Sequence, residues 1–273
     1  MPFKKYCYQK NKKCVDCNKF FVADPVKHHK ATAKIITLTM DLYYKGLSLR
    51  DITDTLKQFY GINLHHETIR RWITKFTDRM NKYVETKTPE LSKVWNTDEQ
   101  MVKVGKDWVW SWNTIDNETK FWIANTISKG RSINEARKQF KEVKKTAKDQ
   151  KPELLITDGL HSYKKAIKKE FDTRKRYGKP IDKAVEHYHK AGIRKPINNN
   201  VVERLHGEFR EFDKVRRGFK AKDTAKLWVD GMKLYHNFIK EQNGKTPSQR
   251  ANIDLKLKGN KWLTLLQQSL KES

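Results

Sequence analysis

At Pro89 the hydrophobic pattern of the chain changes period. From about residue 30 to 83 apolar residues recur every three or four positions, and beyond Pro89 they alternate. The second part admits few folds. Val94–Val104 reads as a first strand, Trp108–Ile115 as a second and Phe121–Ile127 as a third; the connections at 105–107 and 116–119 are so short that an antiparallel meander follows. Residues 131–148 form a helix with Ile133, Ala136, Phe140 and Val143 inward. Leu154, Leu155 and Ile156 make a short, fully apolar strand, entered from a helix and ending at Asp158-Gly159, as a parallel crossover strand does. A helix with Tyr163, Ala166, Ile167 and Phe171, a strand over 185–189, a helix opening at Asn199 or Asn200 and a last one over about 222–240 complete the series.

Strand-strand-strand-helix-strand-helix-strand-helix over residues 91 to about 240 is the order of a ribonuclease H-like domain, an α/β fold with a mixed sheet and flanking helices. In such a sheet the first strand and the crossover strand are neighbours. Asp98, inside the first, and Asp158, at the end of the other, then lie side by side. A third acid comes from the helix after Asn198-Asn199-Asn200. Val201, Val202, Leu205, Phe209 and Phe212 give that segment a helical stripe, and Asn199 or Asn200 is a natural side-chain N-cap. Glu203 falls in its first turn, where the helix dipole favours a carboxylate.

Asp98 is the informative anomaly. Aspartate is disfavoured within strands, and an unpaired buried carboxylate is costly unless it meets a positive charge. Magnesium and manganese accept oxygen ligands from a few carboxylates, and two ions about 4 Å apart activate an attacking oxygen and stabilise a leaving one. Asp98, Asp158 and Glu203 are therefore the candidate catalytic acids and Mg2+ (or Mn2+) ligands. By strand alternation Glu99 points to the opposite face and is set aside; Glu208, on another face of its helix, is set aside too.

Upstream of Pro89 the pattern is helical. Ile35, Ile36, Leu38, Leu42 and Tyr43 mark a first helix, and Ser48 with Asp51 caps a second. After Gly61 comes a third, from His66, that buries Ile69, Trp72, Ile73 and Phe76. Two short helices with a tight turn, the second basic on its exposed side, read as a helix-turn-helix. His65, His66, Thr68, Arg70, Arg71 and Lys75 are the residues expected to approach DNA. The only cysteines are Cys7, Cys14 and Cys17; Cys14 and Cys17 form half of a zinc-knuckle pattern, Cys7 is a third candidate Zn2+ ligand, and His28 or His29 a fourth. The expected domains are thus a partial cysteine ribbon (1–29), a helix-turn-helix domain (30–88), a catalytic domain (89–245) and a C-terminal tail (246–273).

Lys and Arg number 59 against 32 Asp and Glu, a net charge of +27 spread along the chain. A phosphate polymer is the natural counter-partner. No stretch reads as a membrane span or a signal peptide, so a cytoplasmic, nucleoid-associated location and no membrane partner are expected. Arg204, Arg210, Arg216 and Arg217 follow the third acid closely and are assigned to DNA phosphates.

Trp95 with Asp98-Glu99, then Ile156-Thr157-Asp158-Gly159, then Asn199 to Glu203-Arg204 with His206 and Arg217-Gly218-Phe219, in that order, resemble the DDE-type insertion-sequence transposases, most nearly insertion-sequence family 6. Leu47 to Asp51 and His66 to Trp72 resemble the helix-turn-helix of that family, and the resemblance spans nearly the whole chain from Cys14. It implies a ribonuclease H-like catalytic fold, a divalent metal, binding to double-stranded DNA at terminal inverted repeats, strand cleavage and strand transfer into target DNA, and Asp98, Asp158 and Glu203 as catalytic acids. A homodimer or higher oligomer is expected, because two ends are joined at once. The first Cys-x-x-Cys pair of many relatives is reduced here to Cys7. The alternatives are a catalytically silent DNA-binding regulator derived from a transposase, and a ribonuclease H-type nuclease with no part in transposition.

Overall fold

A computed structural model of the chain describes residues 11–13, 20–22, 26, 31–148, 150–171, 185–189, 197–216 and 218–272, with the backbone alone for 11–13, 20–22 and 212–216. The described residues up to Val84 and those from Leu255 onward form one compact unit; Glu85–Asp254 form another.

The first unit holds a two-stranded antiparallel ladder, β1 (Asn11–Lys13) with β2 (Phe20–Val22), and the helices α1 (Ala33–Tyr44), α2 (Leu49–Tyr60) and α3 (His66–Glu85). Ser48 and Asp51 close a reciprocal capping box at the start of α2. The helix stops at Gly61, whose left-handed backbone (φ 63°) lets its amide reach the last carbonyls. Ile69, Trp72, Ile73 and Phe76 of α3 are all buried.

The second unit is built on a five-stranded mixed sheet in the order β5-β4-β3-β6-β7. Its strands are β3 (Val94–Val104), β4 (Asp107–Asp116), β5 (Trp122–Ser128), β6 (Leu154–Thr157) and β7 (Glu186–His189). The three long strands pair antiparallel; β6 and β7 add in parallel on the β3 side. The meander and the pairing of β3 with β6 are as expected from the sequence; the place of β7 beyond β6 comes from the structure. Helices α4 (Ile133–Ala147) and α5 (His161–Glu170) cover the face of Thr97, Glu99, Trp112 and Thr114, which Gln139 ties down by donating to Thr114 Oγ1 (2.9 Å). Helices α6 (Asn200–Arg216) and α7 (Lys222–Leu234) lie on the other face. Trp95, Trp112, Trp122 and Trp228 are almost wholly buried, and rings of that size dominate a core of these dimensions.

The helix expected over 222–240 is not uniform. After Leu234 it widens into a π-helical turn, Tyr235–Ile239. The turn aims Asn237 at β5, where its side chain accepts from Trp122 N (2.8 Å) and donates to Trp122 O (3.0 Å). The segment expected as a C-terminal tail is divided. The short helix α8 (Pro247–Arg250) belongs to the second unit, whereas α9 (Lys261–Lys271) completes the core of the first. Trp262, Leu265 and Leu266 are buried there, with Trp262 stacked on Tyr44 (5.5 Å). The apolar patch was visible in the sequence; its partner, α1, lies more than two hundred residues away and was not.

Past α6 the chain returns to the β3–β4 hairpin. Phe219 N donates to Lys103 O (2.8 Å) and Gly105 N to Phe219 O (2.5 Å). Gly218 makes this approach feasible: its φ is +92°, and a Cβ there would sit 3.0 Å from Lys103 O and Lys103 Cβ. Gly218→Ala is expected to cost about 1–3 kcal/mol in chemical denaturation, from a disfavoured backbone region plus a backbone clash. An alanine variant as stable as the parent would show that this junction relaxes freely.

Candidate active site

The parallel ladder of β3 with β6 pairs Val94 with Leu154, Trp95 with Leu155 and Asn96 with Ile156. Continued two residues, it sets Asp158 level with Asp98. One carboxylate oxygen from each of Asp98, Asp158 and Glu99 lies within 4.8 Å of the others. Burial, reinforced by the charges of Glu99, Asp158 and Glu203, pushes the Asp98 carboxyl up to about 8.

Glu99 points as strand alternation requires, to the face opposite Asp98, toward α5. There its carboxylate accepts from the buried Tyr163 hydroxyl and from Arg131 Nη1 (3.2 Å). It nevertheless joins the cluster, because the ladder with β6 ends just before this level and Asp158 stands at the open edge of β3. Burial raises the Glu99 carboxyl, and the bonds from Tyr163 and Arg131 oppose that rise. Glu203 lies outside this group of three among the described residues. It occupies the first turn of α6, half-buried, and adds to the field on Asp98. Glu208 has another occupation: it pairs with Lys240 Nζ (2.8 Å) and lies beside His236.

The start of α6 differs from expectation. Asn199 is the residue whose backbone carbonyl accepts from Val202 and Glu203, but its side chain does not cap the helix. Asn199 Oδ1 instead accepts from Asn96 Nδ2 (3.0 Å), which also donates to Asn198 O (3.1 Å). Asn96 and Asp98 share one face of β3, so this pair of bonds moors the helix of Glu203 to the strand of Asp98. One turn along α6, His206 reaches the same face. Asn113 Oδ1 accepts from Asn125 (2.7 Å), leaving Asn113 Nδ2 to donate to His206 Nε2 (3.0 Å). The ring proton therefore sits on Nδ1, the atom 3.6 Å from Asp98 Oδ2. Burial and the charge of Arg210 hold the His206 pKa down to about 3, so the ring is neutral.

These donors suit a hard divalent cation. The cluster is all oxygen, its negative charges repel one another, and a cation relieves that repulsion. Polar atoms nearby are also left wanting. The buried amide of Gln100, two residues from Asp98 on the same face, has no partner among the described residues, nor have Asn96 Oδ1 and Asn200 Oδ1. The alternating polar row Asn96, Asp98, Gln100 inside a buried strand was the signal that would have marked this face from sequence.

Arg204 and Arg210 are exposed along α6. The side chain of Arg216 and the whole of Arg217 lie outside the described residues, as do Cys7, Cys14, Cys17, His28 and His29, the residues of the zinc expectation. On α3, Arg71 and Lys75 are exposed, and Arg70 is exposed but paired with Glu67 (2.7 Å). His65 is exposed; His66 and Thr68 are half-buried.

A mixed sheet in this strand order, with acids meeting where its first and fourth strands run side by side, defines a ribonuclease H-like nucleic-acid enzyme of the metal-dependent kind. The sequence profile of a family described as DDE domain matches residues 92–242. An uncharacterized protein of Methanocaldococcus jannaschii is 29% identical over 216 residues, covering 78% of this chain and 90% of the relative. The transposase for insertion sequence-like element IS431mec of Staphylococcus aureus is 25% identical over 213 residues, covering 76% of this chain and 85% of the relative. Among solved structures, the integrase catalytic core domain of HTLV-2 in complex with magnesium aligns at 14% identity with a TM-score of 0.40, covering 59% of this chain and 94% of that one. The chain belongs to the DDE transposases of insertion sequences. It is an enzyme whose partner is DNA and whose chemistry uses a divalent metal. Among the described residues no helix is long and apolar enough to cross a membrane.

Proposed function

We propose that the protein binds the terminal inverted repeats of its element and cuts and joins DNA strands at a site formed by Asp98, Asp158 and Glu203. The supporting observation is the convergence of Asp98 and Asp158 at the open edge of β3, with the charge of Glu203 felt there from α6. Asp98 and Asp158 would hold Mg2+ or Mn2+, and Glu203 would complete the ligand set from the helix. A bound divalent cation supplies Lewis acidity, activating an attacking hydroxyl or water and offsetting charge on the leaving oxygen. Neutral His206 keeps a donor turned toward Asp98 without competing as a cation. Glu99, fastened by Tyr163 and Arg131, stiffens the strand beneath the site. Arg204 and Arg210 line the exposed flank of α6 and take phosphates.

The helix-turn-helix of α2 and α3 recognises the repeats, with His65, His66, Thr68, Arg70, Arg71 and Lys75 toward DNA. In domain terms, 30–88 binds ends and 89–245 catalyses, with Cys7, Cys14 and Cys17 as zinc ligands in 1–29. The protein acts as a dimer or larger assembly on nucleoid DNA in the cytoplasm.

The test is strand joining by the purified protein on DNA carrying the element ends, with Mg2+ and with Mn2+. Joined products are expected from the parent, and none from Glu203→Gln, which should still bind ends. Binding with no cleavage or joining in either metal would instead support the silent regulator. Full joining by Glu203→Gln would remove that residue from the ligand set.

A further inference from the structure

We infer that the outer face of the β3–β4 hairpin is a stacking platform for an unpaired nucleobase of the DNA strand held at the acids. This rests on the strand-transfer reading above. The register pairs Met101 with Trp110 and Lys103 with Trp108, so these four side chains share the face of Glu99. Nearer the helices that face is covered: Trp112 is buried, its Nε1 donating to Ser128 Oγ (2.7 Å) and its ring meeting Tyr163 edge-on. Toward the hairpin tip the cover ends, and Trp108 is 55% and Met101 48% exposed. Apolar groups of that size left adjacent in water mark a contact surface.

Two observations say what covers them. One is continuity with the acid cluster. The Arg131 guanidinium lies 4.0 Å from the centre of the Trp110 ring, and the same side chain donates to Glu99. Arg131 thus joins Glu99, the acid of the cluster on this face, to the aromatic strip; a strand held at Asp98 and Asp158, on the other face, rounds the edge of β3 that β6 leaves open beyond Asn96 and then meets Trp110 and Trp108. The other is charge. Lys103 and Lys106 are exposed beside the rings, with Asp107 the one exposed acid of the turn, on a chain of net charge +27. Cations interleaved with exposed aromatics suit the alternating phosphates and bases of a single strand. A paired base has both faces occupied within the duplex, so the partner is an unpaired one. The platform is also fixed in advance, since Phe219 bonds Lys103 O and Gly105 N where β3 enters the hairpin turn, and little order remains to be gained on binding.

The probes are a blunt element-end duplex and the same duplex with a short single-stranded overhang carrying 2-aminopurine. The full chain is expected to prefer the overhang and to quench the fluorophore. Trp108→Ala should weaken overhang binding by about 5- to 100-fold and abolish quenching, with blunt-duplex binding unchanged; Trp108→Phe should retain most of both. Met101→Ala, with the ring intact, should lose less than Trp108→Ala. Equal binding of both probes by the parent and Trp108→Ala would overturn the inference. So would conversion of an oligomer to a monomer by Trp108→Ala in sedimentation, which would give this face to a second copy of the chain. Asp98→Asn should keep the overhang preference, so a parent that stacks the base but never joins strands would refute the strand-transfer reading and leave the platform standing.

Discussion

Asp98→Asn is expected to reduce strand joining by about a thousandfold or more while leaving binding to element ends intact. The amide keeps the size and shape of the side chain, so β3 and its bonds to α6 need not move. What it removes is the charge and an anionic ligand oxygen, at the position where the fields of Asp158, Glu99 and Glu203 converge. Glu99→Gln is the informative companion. Its carboxylate also belongs to the cluster, but it is bonded by Tyr163 and Arg131, and those partners would be left half-satisfied by an amide. Its expected loss is in stability, on the order of 1–3 kcal/mol for a buried charged bond disturbed, with a much smaller loss of joining. The pattern is read in a joining assay beside denaturant melts. Glu99→Gln as inactive as Asp98→Asn, at parental stability, would make Glu99 a metal ligand and reverse the assignment.

The second large effect is on stability in the absence of metal. The Asp98 carboxyl is raised from an ordinary 3.8 to about 8 in the fold, chiefly by burial and then by the neighbouring carboxylates. A raised carboxyl favours the folded state below its unfolded value, and that contribution is lost as pH climbs through the folded one. Between about pH 4 and 8 the metal-free protein should therefore lose roughly 1.4 kcal/mol per pH unit relative to Asp98→Asn, which has no such group to ionise. Thermal melts of the pair in chelator at pH 5, 6, 7 and 8 should diverge steadily, with the asparagine variant the more stable. Adding Mg2+ should narrow the gap, since a cation replaces the proton among the acids. The apparent affinity for Mg2+ should accordingly rise as pH approaches 8. A constant offset between the two proteins at every pH, unaffected by Mg2+, would mean that Asp98 ionises without cost and needs no cation.

Much of this molecule was legible as a string. The period change after Pro89, the short meander turns and the apolar run before Asp158 specified four of the five strands in their observed order, because alternation and turn length are local properties. The capping box at Ser48 and the buried stripe of α3 were equally local. Other features depended on residues distant in sequence. Asn199 had the composition of a side-chain cap and became a mooring for Asn96. The apolar patch at Trp262 had no visible partner until α1 supplied one. Glu99 points away from Asp98, as its place in the strand requires, yet shares its field because β6 ends where it does.

The sequence alone determined the strands and helices from Val94 to Leu234, their order along the chain, and that two acids come from neighbouring strands, since each rests on interactions among nearby residues. Only the tertiary structure decided the company those acids keep: the helix side chains moored against them, the neutral ring of His206, and the exposed tryptophan beyond Arg131. Those contacts span up to about a hundred residues, and no periodicity in a chain encodes the point at which two distant side chains come within bonding range.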